Sequence, residues 1–119
     1  MKRNKKLRQV DLIDAAHVAR LREAGEPLFG LGNCYITPAV RAFLATHGRL
    51  PNSLLGPHCH GDFGLLKPGE AEANERGLLD GAQLLSCHAV EGRRIYVVTS
   101  EATDEGMRWV TVMLFVEEA

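Results

Sequence analysis

The chain has 119 residues, the length of one domain able to bury about two-thirds of its unfolded surface without disulfide or metal staples. Apolar residues make up 45% and charged residues 24%, which excludes an intrinsically disordered polypeptide, and a net charge of -1 removes any global attraction to nucleic acid or acidic membrane. Three cysteines, Cys34, Cys59 and Cys87, are an odd number without CxxC spacing, so they read as free thiols of a reducing compartment.

The chain opens on a basic run. Lys2, Arg3, Lys5, Lys6 and Arg8 mark residues 1–9 as a solvated, flexible arm and the only place where contact with nucleic-acid phosphates is expected. MKRNKKLR is followed by DLIDAAHV, whose two aspartates spoil it as a secretory hydrophobic region, and no apolar run reaches the roughly 20 residues that span a bilayer. A cytoplasmic protein without membrane contact is expected, with one domain over residues 10–119.

From Val10 to Ala24, the spacing of Ile13, Ala16, His17, Leu21 and Ala24 predicts a helix that Gly25 stops. After the Pro/Gly connection EPLFGLG, NCYIT reads as a short strand. Thr37 then serves as an N-cap, Pro38 occupies a first-turn position where its missing N–H costs nothing, and Gly48 ends the helix, whose stripe is Val40, Phe43, Leu44 and His47. The Pro/Gly spacing of residues 49–69 allows one short helix near Asn52 to Leu55 and otherwise predicts a loop holding PHCHGDFG. Glu70 to Asp80 is rich in Ala, Glu and Leu and predicts a further helix ending at Gly81.

The last forty residues change period. AQLLSCHAV, RRIYVVTS and MRWVTVMLFV predict a three-stranded antiparallel meander, with Glu91-Gly92 as a two-residue turn. If Thr99 pairs near Arg108, one face carries Ser86, Thr99, Val110, Val112 and Leu114, and the other carries Tyr96, Trp109, Thr111 and Met113. The fold expected is α+β, with N-terminal helices, a short strand and the meander joined into a sheet of about four strands. Too few helices remain to cover both faces, so Tyr96, Trp109 and Met113 are the candidate interface for a homodimer or a protein partner.

The order CYITPAVRAFLATHG, HxxGDFG, EAEANERGLLDG, LLSCHAVEGRRIYVVTSEA, TVMLFVEEA resembles a family of small proteins carried by bacterial plasmids and integrative elements, often labelled plasmid-related protein or restriction-system subunit M. The resemblance runs over residues 30–119 and rests on His58, Gly61, Asp62, Gly64, Asn74, Gly81, Ser86, Gly92, Thr99 and Thr111. The chain departs from the family at Phe63, where a Trp is usual, at TSEATDEG, which replaces an acidic-arginine segment, and at Val116, where a proline is expected. The resemblance implies a mobile-element origin and brings no catalytic activity with it.

PHCHGDFG admits three readings. His58 and His60 offer ligand types that zinc accepts, but Cys87 and His88 are strand neighbours pointing to opposite faces and cannot both join them. A second reading is a small nuclease, similar to the barnase/RelE-like ribonucleases, in which His58 and Asp62 work with Ser86, Arg94, Thr99 and Thr111 on a phosphodiester. The third makes Asp62 an Asx-turn acceptor, Phe63 a core plug and His58 a hydrogen-bonded packing residue. The leading expectation is a non-enzymatic accessory protein that binds a host-defence or restriction component, with the nuclease as the alternative. Neither metal nor cofactor is expected.

Overall fold

The computed structural model describes residues 14–119. The basic arm of Lys2, Arg3, Lys5, Lys6 and Arg8 and the predicted helical positions from Val10 to Ile13 lie outside the described residues. Four helices, α1 (Ala15–Ala24), α2 (Pro38–Thr46), α3 (Asn52–Cys59) and α4 (Pro68–Asp80), accompany four strands, β1 (Asn33–Ile36), β2 (Leu84–Val90), β3 (Arg93–Thr99) and β4 (Val110–Phe115), in an α+β fold. The sheet order is β1-β4-β3-β2, antiparallel through the meander and parallel between β1 and β4.

Local chemistry sets the helix ends. Asp14 accepts from the His17 amide at 2.8 Å to open α1, and Gly25, at φ 72°, closes it. Thr37 accepts from the Val40 amide to open α2, immediately before Pro38. In α1 the buried side chain is Val18, with Leu21 packed beside it, whereas Ala16 and Ala24 stay exposed, so the inward face is rotated from the predicted stripe.

The predicted loop around His58 is a correction. α3 runs through Pro57 to Cys59, and His58 lies in its last turn. Pro57 removes one backbone donor, yet Leu54, Leu55, His58 and Cys59 are all buried, and that burial outweighs one missing hydrogen bond. Asp62 donates its amide to the Pro57 carbonyl at 2.8 Å, which ties the following turn back onto the helix.

Strand parity is a second correction. Thr99 pairs with Thr111, not with a residue near Arg108. Thr111, Met113 and Phe115 therefore join Leu84, Ser86, Val90, Ile95, Val97 and Thr99 on the buried, helix-covered face. Met113 is fully buried in the main core with Val40, Leu44, Ile95, Val97 and Phe115, so it is no interface residue. A shift of one position flips every side chain of a strand, and the TVMLFV run is apolar on both sides, so its alternation could not fix the parity.

Glu91 and Gly92 form the predicted two-residue turn, both at positive φ (48° and 78°), with Val90 opposite Arg93. Gly64, at φ 71°, makes a parallel bridge with Cys87, and a Cβ there would collide with the Cys87 carbonyl. At Gly92 a Cβ would meet nothing. Gly64→Ala should therefore destabilise the protein by about 3 kcal/mol or more, against about 1 kcal/mol for Gly92→Ala, where only left-handed strain acts. Urea denaturation of both variants checks the order, and equal losses would refute the close approach at Gly64.

Candidate functional site

His58 is fully buried and sits where α3 crosses the sheet. Its Nδ1 hydrogen-bonds Ser86 Oγ on β2, and its Nε2 lies 2.8 Å from Thr99 Oγ1 on β3. Thr99 Oγ1 is 2.7 Å from Thr111 Oγ1 on β4, and Thr111 donates its hydroxyl to the Leu31 carbonyl at 2.7 Å. Two strands and one helix thus meet at a single imidazole, and the Thr99–Thr111 bond carries the chain to β4.

The carbonyl at the end of this chain fixes the direction of every bond before it. Leu31 O can only accept, so Thr111 spends its one proton there and must accept from Thr99. Thr99 has then used its own proton, so His58 Nε2 must be the N–H donor to Thr99. In the neutral ring Nδ1 then keeps its lone pair, and Ser86 donates to it. The arrangement therefore selects the Nε2–H tautomer of the neutral imidazole.

The surroundings favour the same state. Phe29 and Phe63 meet the His58 ring edge-on, with centroids 5.2 and 5.9 Å away. Burial, followed by the positive charge available to His88 and the Arg108 guanidinium, pushes the His58 pKa down to about 4. Burial also pushes His88 down, with Asp62 pulling it back, and its Nε2 is buried without a hydrogen-bond partner among the described residues.

The remaining predicted residues are dispersed. Asp62 accepts from the Gly64 amide at 3.2 Å, as an Asx-turn does, and Phe63 is buried. Arg94 pairs with Ala89 and projects from the sheet face opposite Thr99, because the two are five positions apart on one strand. His60 turns Nδ1 to the Gly56 carbonyl at 2.7 Å, while both His58 nitrogens are engaged in the hydroxyl chain, so the two do not converge. Among the described residues no group of three or more His, Cys, Asp or Glu comes together to hold a metal. Cys34, Cys59 and Cys87 are free thiols.

Two participants carry no signal in the sequence. Arg108 donates to the carbonyls of Gly77, Ala82 and Ser100 at 3.0, 2.8 and 3.0 Å, closing the C-terminal end of α4 while its guanidinium lies over Phe29. Leu31 contributes only its carbonyl, which no side-chain pattern reveals. A groove of about 470 Å³ between α1 and α4 is lined by Ala15, Val18, Ala19, Leu79 and the Arg22–Glu75 ion pair, and none of the His58 partners lines it.

The other face of the sheet has a different character. Tyr35, Val112, Val98 and Leu85 form one row across all four strands, and Leu114, Tyr96 and Cys87 form the next. Except for Cys87, these residues stay partly or largely exposed, Tyr35 at 57%, and Trp109, just before β4, is 59% exposed. Of the predicted interface, Tyr96 lies on this face, whereas Trp109 shares the parity of Thr111 and Met113, so the three predicted residues do not form one surface. Comparison with protein-family models, with curated proteins and with solved structures found no match.

Two outcomes are expected of the buried chain. The folded pKa of His58 lies below its ordinary 6.5, so the unfolded state binds the extra proton first. Stability is then complete above pH 6.5 and falls by about 3 kcal/mol as the pH drops from 6.5 to 4, with His88 adding in the same direction. Urea midpoints measured across that range should show the fall in the wild type and a much flatter profile in His58→Gln. A wild-type profile flat through this window would refute the neutral, buried His58. Thr99→Val keeps the shape but orphans the Nε2–H donor and the Thr111 acceptor, so it should cost about 2 kcal/mol. A neutral Thr99→Val would show that the chain of hydroxyls is dispensable.

Proposed function

We propose that this chain is a non-enzymatic accessory protein of a mobile genetic element, acting by binding a host-defence or restriction protein through the open face of its sheet. The observation that carries this reading is the unsheltered apolar surface itself. Tyr35, Leu85, Tyr96, Val98, Val112 and Leu114 form a contiguous two-row patch, and among the described residues no helix lies over it. Patches of that kind mark interaction sites when they are rimmed by polar residues.

The chemistry of the patch favours a protein over a nucleic acid. Single-strand binding couples aromatic platforms to a groove of cations that tracks the phosphates. Here the aromatic side chains sit among aliphatic ones, Arg94 is the cation on the face among the described residues, and exposed Glu101 and Glu105 occupy the loop at the far end of β3. The mobile-element origin rests on the family resemblance, and a restriction or defence protein is the natural target for such an element.

The nuclease alternative loses its support in the geometry. A general base must reach the proton it removes, whereas His58 is sealed, both of its ring nitrogens are engaged, and Arg94 projects from the other side of the sheet. Ser86, Thr99 and Thr111 are equally sealed.

Immobilised chain exposed to extract from a bacterial host carrying a restriction system should retain a defined protein. Val98→Lys, on the open face, should lose it, and Glu23→Lys, on exposed α1, should keep it. Retention that Val98→Lys leaves unchanged refutes the reading, as does RNA cleavage by the wild type that a folded His58→Gln abolishes.

A further inference from the structure

The two edges of the sheet are finished differently. On the outer side of β2, Leu85 donates its amide to Asn74 Oδ1 at 3.0 Å and accepts from Asn74 Nδ2 at 2.6 Å. Cys87 donates to the Phe63 carbonyl at 3.0 Å and accepts from the Leu65 amide at 2.7 Å. At Leu85 and Cys87 that edge is closed by a buried side chain and a stretch of loop, which leaves the outward groups of Ala89, near the hairpin, without a backbone partner among the described residues. On β1 the amides of Asn33 and of Thr37, just past its end, donate to Trp109 and Met113 at 2.8 and 3.0 Å. Alternation therefore turns Tyr35 toward β4 as well, and it leaves the N–H and C=O of Cys34 and Ile36 facing outward. Among the described residues no backbone group pairs with them.

We propose that β1 is a self-pairing edge, on which a second copy of this chain adds its own β1 antiparallel and joins the two four-stranded sheets into one. This uses a different surface from the open face and stands or falls separately from the reading of that face. The occupant follows from the symmetry of the strand. With a two-fold axis between the two copies of Tyr35, Cys34 of one copy lies opposite Ile36 of the other. Each such pair exchanges one N–H and one C=O in both directions, so every outward group on the edge is satisfied by its own counterpart.

The sequence of the strand suits this pairing. NCYI contains no charge, so a copy never meets itself through like charges, and it contains neither the lysine nor the proline with which exposed edges are guarded against pairing. The Tyr35 pair falls at a non-hydrogen-bonded position, where cross-strand side chains approach most closely, and both rings lie on the open face. The two apolar faces would then run on as one surface.

Proline at position 34 provides the test, because it removes an outward donor and none of the bonds to β4, and edge strands tolerate proline. Under reducing conditions, which exclude a Cys34 disulfide, sedimentation equilibrium over a concentration series should show wild type and Val98→Lys at twice the monomer mass and Cys34→Pro at the monomer mass with unchanged circular dichroism. Amide exchange of Cys34 and Ile36 in the wild type should slow as concentration rises, a readout that survives if Cys34→Pro fails to fold. Monomeric wild type with fast, concentration-independent exchange at both amides overturns the proposal. So does a dimer that Cys34→Pro leaves intact or that Val98→Lys dissociates, the latter pointing to face-to-face packing instead.

Discussion

The Leu31 carbonyl is a fixed acceptor at one end of a chain of groups that could each point either way. Because it cannot donate, it orients Thr111, then Thr99, then the tautomer of His58, then Ser86. A buried polar network is costly when any member is left unpaired and specifies a single arrangement when all are paired. Here the pairing crosses β2, β3 and β4 and reaches up into α3, so the register of the meander and the seat of the helix are determined together. The one-residue alternative for β4 would carry Thr111 to the opposite face and leave both Thr99 and the Leu31 carbonyl without this partner.

The same logic recurs where side chains stand in for backbone. Asn74, buried on α4, presents its amide to Leu85 much as a neighbouring strand would, and so fixes the helix against the edge of β2. Arg108 does the converse, filling three carbonyls that a helix end and a loop leave open. Its charge adds to burial and to His88 in lowering the His58 pKa, although it touches neither imidazole nitrogen.

How much of this was legible in the sequence depends on whether the signal was local. The Thr37-Pro38 start, the Glu91-Gly92 turn and the Asx-turn at Asp62 depend on a few adjacent residues and are found as read. The α+β order, with three C-terminal strands after the helices, followed from period alone. One of the readings of His58 makes it a hydrogen-bonded packing residue, but the chain of its partners has no local signal, because the Leu31 carbonyl that ends it has no side-chain signature. The path of α3 through Pro57 was hidden because a local helix breaker is overridden there by burial of four side chains. The parity of β4 was hidden for a different reason. Its apolar run satisfies either face, and two of the three Arg108 contacts that anchor the preceding loop, those to Gly77 and Ala82, reach far along the chain.

The placement of polar groups leaves the molecule asymmetric. One face of the sheet is sealed by helices and held in register by His58, and one edge is sealed at Leu85 and Cys87 by Asn74 and the Phe63–Leu65 stretch. The face and the edge that the described residues leave uncovered meet at β1, with the ring of Tyr35 on the first and the amides of its neighbours on the second. An apolar patch alone is satisfied by any greasy surface, and a bare edge alone by any extended strand. A surface that supplies both at one place demands side chains and backbone in a fixed relation, which narrows the partners that fit it. The rigidity imposed by the buried histidine then serves the exposed side, because a sheet whose register cannot slip presents the same row of Tyr35, Val112, Val98 and Leu85 each time it is met.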